Sequence, residues 1–256
     1  MSNNKEIDKK KIKKFFLERA NKHDNKNPLK SVIYQDKNPE LAKERDNFEK
    51  KRIKKILNIN EDDTILDIGC GIGRWAESFS EVAKKYVGVD YIDDFIKIAN
   101  LKYIDKDNLH FICLEGSELS NSKVKSYSPY TVFMILGLHP YINDEECYDI
   151  FKKLIALSAE NSQIIIREPI GVEKEIVLDN VWSKDMETYY TAKYRTRNWF
   201  IKMFDDILYP KGFKLNLDEI RLYSTGAFKN ARRKFFASSE KYSFNPFIVS
   251  VSNSKA

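Results

Sequence analysis

The chain has 256 residues, 42% of them hydrophobic and 32% charged, enough to bury a substantial core in one elaborated domain or two small ones. Its 44 basic and 38 acidic side chains leave a net charge of +6, a mixed balance that permits nucleic-acid or phosphorylated partners without demanding either. No apolar run reaches bilayer length, no signal-like segment opens the chain, and Cys70, Cys113 and Cys147 lack metal-ligand spacing, so a cytoplasmic protein with unpaired thiols and no metal site is expected.

In chain order, a solvated lysine-rich start leads into a helix over Lys9 to Ala20, with Ile12, Phe15 and Phe16 on one face. The polar stretch NKHDNKNPLK breaks it. A second helix starts at Asn38-Pro39, where asparagine caps and proline suits the first turn, and its apolar stripe runs through Leu41, Phe48, Ile53, Ile56 and Leu57.

Strands then alternate with helices: Thr64 to Ile68, Tyr86 to Val89, Leu109 to Leu114, Thr131 to Leu136 and Gln163 to Glu168. Their continuous apolar runs suit parallel strands covered on both faces. This alternation predicts an α/β fold with a doubly wound, Rossmann-like, mostly parallel sheet and helices on both faces. Asp144, Glu145 and Glu146 suit a helix start, where the dipole favours acids. The segment from Gly171 to Pro210 is longer than a crossover needs: TYYTAKYRTRNWF is dense in aromatics and cations, and Trp199, Phe200, Met203, Phe204, Ile207 and Leu208 follow at helical spacing. Gly212 to Leu215 opens a later strand, and the last strand is either Lys234 to Ser238 or Phe247 to Val251. The expected organisation is an N-terminal helical lid (1–58) and a Rossmann-like domain (59–256) with an acceptor-side insertion at about 171–210.

The most informative stretch is Ile65-Leu66-Asp67-Ile68-Gly69-Cys70-Gly71-Ile72-Gly73-Arg74-Trp75, followed by Val87-Gly88-Val89-Asp90. Glycines at alternate positions let the backbone turn sharply and approach a ligand closely. The spacing is G-x-G-x-G, whereas the dinucleotide fingerprint is G-x-G-x-x-G. Asp67, just before the first glycine, disfavours a pyrophosphate, because like charges about 4 Å apart repel by on the order of 4 kcal/mol at an intermediate dielectric. A carboxylate there suits a nucleoside with a cationic amino group, and Asp90 stands roughly where an acid meets ribose hydroxyls in such folds. Cys70 sits where a small side chain suffices.

These residues resemble the cofactor-binding motifs of class I S-adenosylmethionine-dependent methyltransferases, and the resemblance runs less sharply from about Glu61 to Pro169. It implies S-adenosyl-L-methionine as cofactor and S-adenosyl-L-homocysteine as product. It implies that Asp67, Gly69, Cys70, Gly71, Gly73 and Trp75 form the loop beside the methionine portion, with Leu136 facing it. Asp90 would bind the ribose, Tyr91 and Ile92 would flank the adenosine, and Gly116, Ser117 and Glu118 would contact adenine. The N-terminal helices would lie across the cofactor, with Tyr34, Gln35 and Asp36 as lid contacts or an ordinary loop.

Methyl transfer from a sulfonium is an in-line displacement, so the protein mainly aligns the reactants; a hydroxyl acceptor also needs its proton removed. His139, just beyond the fourth strand, is the candidate base, with a structural turn histidine as the equal alternative. Tyr34, Tyr141, Arg167, Tyr190, Tyr194, Arg195 and Arg197 are the acceptor candidates. Arg195 and Arg197 would clamp an anionic group, or else lie on a solvated helix surface. The leading expectation is methyl transfer to an O or N nucleophile of a small polar, phosphorylated or sugar-linked acceptor in surface-glycan (capsular polysaccharide) or secondary metabolism. Methylation of RNA or protein, and a non-catalytic cofactor-binding subunit, are the alternatives.

Overall fold

A computed structural model describes residues 6–34, 36–219 and 244–253. Gln35 and the strand candidate Lys234 to Ser238 lie outside the described residues. The expected alternation is present: β1 (Thr64–Ile68), β2 (Lys85–Asp90), β3 (Leu109–Cys113), β4 (Tyr130–Ile135) and β5 (Ser158–Gly171) pair in parallel. The antiparallel partner of β5 is Phe244–Ser252, which settles the last strand in favour of the Phe247 segment; it pairs in turn with Lys214–Glu219. The seven strands run in space as β3-β2-β1-β4-β5, then Phe244–Ser252, then Lys214–Glu219.

Strand alternation sorts the side chains onto two faces. Leu66, Ile68, Phe133, Ile135, Ile164 and Ile166 pack with α6 (Asp144–Leu157) and α7 (Arg197–Ile207). Ile65, Val132, Met134 and Ile165 pack under α2 (Pro39–Leu57), through Ile53 and Leu57, and under the short α3 (Ala76–Phe79) and α4 (Asp93–Lys102). Asn143 and Glu146 close a capping box on α6, so the acidic cluster starts a helix as expected. Asn38 caps α2 through Leu41 N, as its sequence suggests.

The insertion divides in two. Its first part is an antiparallel hairpin, β6 (Ile176–Ser183) and β7 (Thr188–Tyr194), separate from the main sheet. Its second part, α7, buries Phe200, Met203, Phe204 and Ile207 in the main core. The N-terminal helix α1 (Lys9–Asn21) packs Phe15 into the hairpin's cluster with Leu178, Tyr190 and Tyr194. Its Ala20 meets Ile92 and Phe95 of the β2–α4 corner. Each fully buried Phe or Ile on α1 contributes about 1.5–3 kcal/mol to holding it there. The helix therefore bridges the hairpin and the sheet's carboxyl ends, leaving a cavity beneath.

Candidate active site

A cavity of about 330 Å3 lies over the carboxyl ends of β1, β2, β4 and β5, where ligands bind in open α/β sheets. One end is made by backbone. Gly69 and Gly71 take φ of +78° and +55°, and a Cβ on Gly71 would come within 3.1 Å of Val32. The β1–α3 corner therefore turns tightly against the cavity floor and admits no larger residue there. Asp90, at the end of β2, accepts N–H bonds from Gly71 on one oxygen and Ile92 on the other, both 2.9 Å. Burial pushes its carboxyl up to about 6, against those two bonds. Tyr91, Leu114, Gly116 and Leu136 continue this wall, and Ile12, Lys13 and Phe16 of α1 roof it.

The other end carries tyrosine hydroxyls in series. Tyr141 donates to Tyr34 at 3.0 Å, lies 2.9 Å from the Tyr190 hydroxyl, and Tyr190 lies 3.0 Å from that of Tyr194. All four line the cavity. Burial raises every one of these phenols, Tyr34 to about 12, so they stand as neutral donors and acceptors at physiological pH. Arg167, at the end of β5, completes this end, with its Nη1 3.7 Å from where a Cβ on Gly137 would lie.

Of the expected residues, Gly69, Cys70, Gly71, Trp75, Asp90, Tyr91, Gly116, Leu136, Tyr34, Tyr141, Arg167, Tyr190 and Tyr194 line this one space. Others do not, each for a local reason. Asp67 alternates onto the Ile65 face of β1, where Tyr86 donates to it beneath the loop; burial raises its carboxyl to about 7, so it supports the loop from below. Gly73 turns toward β3 and α4, where a Cβ would meet the Phe111 ring at 2.8 Å. Ile92 is buried against α1 and Phe95. Ser117 lies outside the lining, and Glu118 folds back to cap the Glu115 N–H at 3.0 Å.

His139 is the main correction. Its ring is buried between Phe151 and Phe200, outside the cavity lining, and its Nδ1 lies 2.8 Å from Glu168 Oε1. The same oxygen accepts the N–H groups of Gly137, Leu138 and His139, at 3.0–3.1 Å, so the histidine helps fix the loop after β4 and its ring lies outside the cavity lining. Arg195 is likewise turned away from the cavity. It donates to the carbonyls of His139 and Ile142 at 2.5 and 2.7 Å and to Asp144 at 2.8 Å, clamping that loop from behind. Arg197 begins α7 outside the lining. Sequence reasoning missed Lys13 and Phe16, although Phe16 belongs to the recognised apolar face of α1. It also missed Arg45 and Arg74; Arg74 adjoins the glycine loop, while Arg45 carries no local signal.

Comparison with known proteins bears on the fold and the family. Residues 65–160 match the family described as "Methyltransferase domain". Phosphoethanolamine N-methyltransferase 3 of Arabidopsis thaliana is 24% identical over 165 residues, 64% of this chain and 32% of that protein, so the match spans about a third of the relative's length. The solved structure of Haemonchus contortus phosphoethanolamine N-methyltransferase 1, with phosphoethanolamine and S-adenosylhomocysteine, superposes with a TM-score of 0.68 at 16% identity, covering 95% of this chain and 48% of that one. The N-methyltransferase NodS of Bradyrhizobium japonicum superposes with a TM-score of 0.58 at 10% identity, covering 94% and 99%. At these identities the superpositions establish the fold. Among the described residues no helix is long and apolar enough to cross a membrane, and no acid, histidine and cysteine cluster could hold a metal.

Proposed function

We propose that the chain is a class I S-adenosylmethionine-dependent methyltransferase, as the match of residues 65–160 to a methyltransferase domain and the strand order support, and that it methylates a small polar acceptor, preferentially an amine carrying an acidic group. The single observation behind this reading is the continuity of the cavity from Asp90 to the four tyrosines. The Asp90 end suits the cofactor: two fixed carboxylate oxygens for ribose hydroxyls, an apolar slot for adenine under Phe16, and a glycine corner beside the methionine portion. When bound there, the cofactor supplies an activated methyl group. The protein's part is alignment and exclusion of water beneath α1.

The choice of nucleophile follows from the tyrosines. An alcohol needs a base, and phenols whose deprotonation is pushed up by burial do not supply phenolate at neutral pH. An amine needs only to be presented uncharged, and neutral hydroxyls with aromatic faces suit an amine and its methylated cation. The names of the relatives point the same way, toward phosphoethanolamine-like acceptors. The surface-glycan expectation gains no support from them, and the cavity of about 330 Å3 is of a size to hold a small molecule.

The test uses isotopically methyl-labelled S-adenosylmethionine with phosphoethanolamine, a panel of small amines and a panel of small alcohols, alongside RNA and protein fractions. Label in small amines is expected. Label confined to alcohols would move the reading to O-methylation, and label confined to RNA or protein would overturn it.

A further inference from the structure

Helix α1 exposes its lysines, yet its buried face, through Ile12, Phe15 and Arg19, carries a cation. Steps of three and four residues put these side chains on one stripe. Arg19 is 1% exposed. Its Nη1 donates to both oxygens of Asp36, at 2.9 and 2.7 Å, and its Nε reaches the Ser31 carbonyl at 3.5 Å. The connection from Ser31 to Asp36 thus folds around the guanidinium. Tyr34 lies within that connection, its ring centroid 5.2 Å from Arg19 Cζ. Asp36, a candidate lid contact by its sequence position, serves this ion pair and stands outside the cavity lining.

Two other rings meet Tyr34 edge-on, Phe15 at 5.6 Å and Tyr190 at 6.0 Å between centroids. Apolar packing of that kind restricts the ring without aiming it. The guanidinium is planar and is itself locked by the Asp36 fork, so it adds a contact with a direction. Stability alone does not account for it: desolvation offsets the attraction in a buried ion pair, and apolar side chains fill such places as well. The charge also acts on the phenol. Burial raises Tyr34 to about 12, and the Tyr141 hydrogen bond and the Arg19 charge oppose that rise. From this geometry we propose that Arg19 is a positioning residue: lying outside the cavity lining, it directs the Tyr34 hydroxyl into the acceptor end by holding both the ring and its loop. The proposal rests on the functional reading above.

The experiment compares the full chain as wild type, Arg19→Lys, Tyr34→Phe and the double variant. Methylation kinetics use phosphoethanolamine, or whichever small amine takes most label, and S-adenosylhomocysteine is titrated calorimetrically. Arg19→Lys keeps the ion pair with Asp36 and loses the planar face. It should raise the acceptor KM by about three- to tenfold, with kcat and S-adenosylhomocysteine affinity within about twofold of wild type. In Tyr34→Phe, which lacks the hydroxyl, the same substitution should add less than about twofold. NMR of the chain labelled with ring-13C tyrosine reads the ring itself. Arg19→Lys should shift the Tyr34 resonance, identified by its loss in Tyr34→Phe, and leave that of buried Tyr130 on β4 in place. If Arg19→Lys does not fold, Arg19→Met combined with Asp36→Leu, which removes both charges together, takes its place with the same expectations. An unchanged KM in a folded variant overturns the proposal. So does an unmoved Tyr34 resonance, additivity of the two substitutions, or an equal loss of cofactor affinity. If the wild type methylates no amine, the functional reading falls and the NMR result alone decides whether Arg19 holds Tyr34, so the two failures are separable.

Discussion

At the Asp90 end of the cavity, much of the wall comes from the strand ends and corners between Ile68 and Tyr91, and several of its contacts are backbone groups. At the tyrosine end, Tyr34, Tyr141, Arg167 and Tyr190 arrive from a loop between helices, a turn after β4, the end of β5 and an accessory hairpin. The first end is a local property of a β-α-β unit, and strand alternation with glycine conformations nearly determines it. The second end exists only once distant segments dock. Substitutions at the two ends should therefore fail differently: by affinity near Asp90, and by stability or acceptor kinetics near the tyrosines.

The largest effect is expected at Glu168, which holds the tyrosine end together from a distance. One buried oxygen serves three N–H groups and His139, so Glu168→Ala strands them all. Breaking such a buried charged arrangement costs about 3–5 kcal/mol. Urea unfolding measures it, and a loss below about 1 kcal/mol would show that the loop after β4 holds itself.

Asp90→Ala strands the Gly71 and Ile92 N–H groups and should cost about 1–3 kcal/mol of stability, less than Glu168→Ala, while weakening S-adenosylhomocysteine by about 100-fold, the worth of charged hydrogen bonds to a ribose. Calorimetry reads this directly, and an affinity within about threefold of wild type would detach Asp90 from the cofactor. The same carboxyl gives a pH signature. Its value in the folded protein, about 6, lies above its ordinary 3.8, and Asp67 stands similarly raised at about 7. Stability from these two groups is fully present below about pH 4 and is lost as pH rises through 6 to 7. With Asp90 holding the ribose as proposed, cofactor affinity runs the other way and should fall about tenfold between pH 7 and 5 for a single proton. Unfolding and binding measured across that range should thus trend oppositely, and Asp67→Asn should flatten only the unfolding curve.

At the tyrosine end, Tyr190→Phe removes the hydroxyl that links Tyr141 to Tyr194. The acceptor KM should rise by about two- to tenfold, the net worth of one neutral hydrogen bond, with S-adenosylhomocysteine affinity unchanged. A change in cofactor affinity of the same size would erase the division between the two ends.

How much of this was readable in the sequence follows the same division. The strands β1 to β5 announced themselves as apolar runs, and Asn38-Pro39 announced α2. The glycine corner and Asp90 were legible because backbone geometry fixes their direction. The hairpin was not. In TYYTAKYR the residues facing α1 (Tyr190, Ala192, Tyr194) are buried, but Thr191, Lys193 and Arg195 are buried too, the two cations against Asp144. With both faces covered and cations on one of them, the polar alternation that marks a half-exposed strand is missing. The bulge between Leu178 and Val181, with Asn180 at a φ of +56°, blurs the period further.

His139 is the sharpest case, because its position along the chain was right for a catalytic base and its direction was not. The strand end places its backbone beside the cavity, between Leu138 and Pro140, which both line it. Glu168 then draws the imidazole to the opposite side, where Phe151 and Phe200 enclose it. A side chain so held acts on the reaction only through the loop it anchors. His139→Asn, which keeps a polar side chain near Glu168, should therefore lower stability while turnover per folded molecule stays within about threefold of wild type, with no change in the pH dependence of kcat. A general base would instead show a loss of about 100-fold and a vanished ionisation, and that result would mean the loop reorganises in the working complex and delivers the ring to the acceptor.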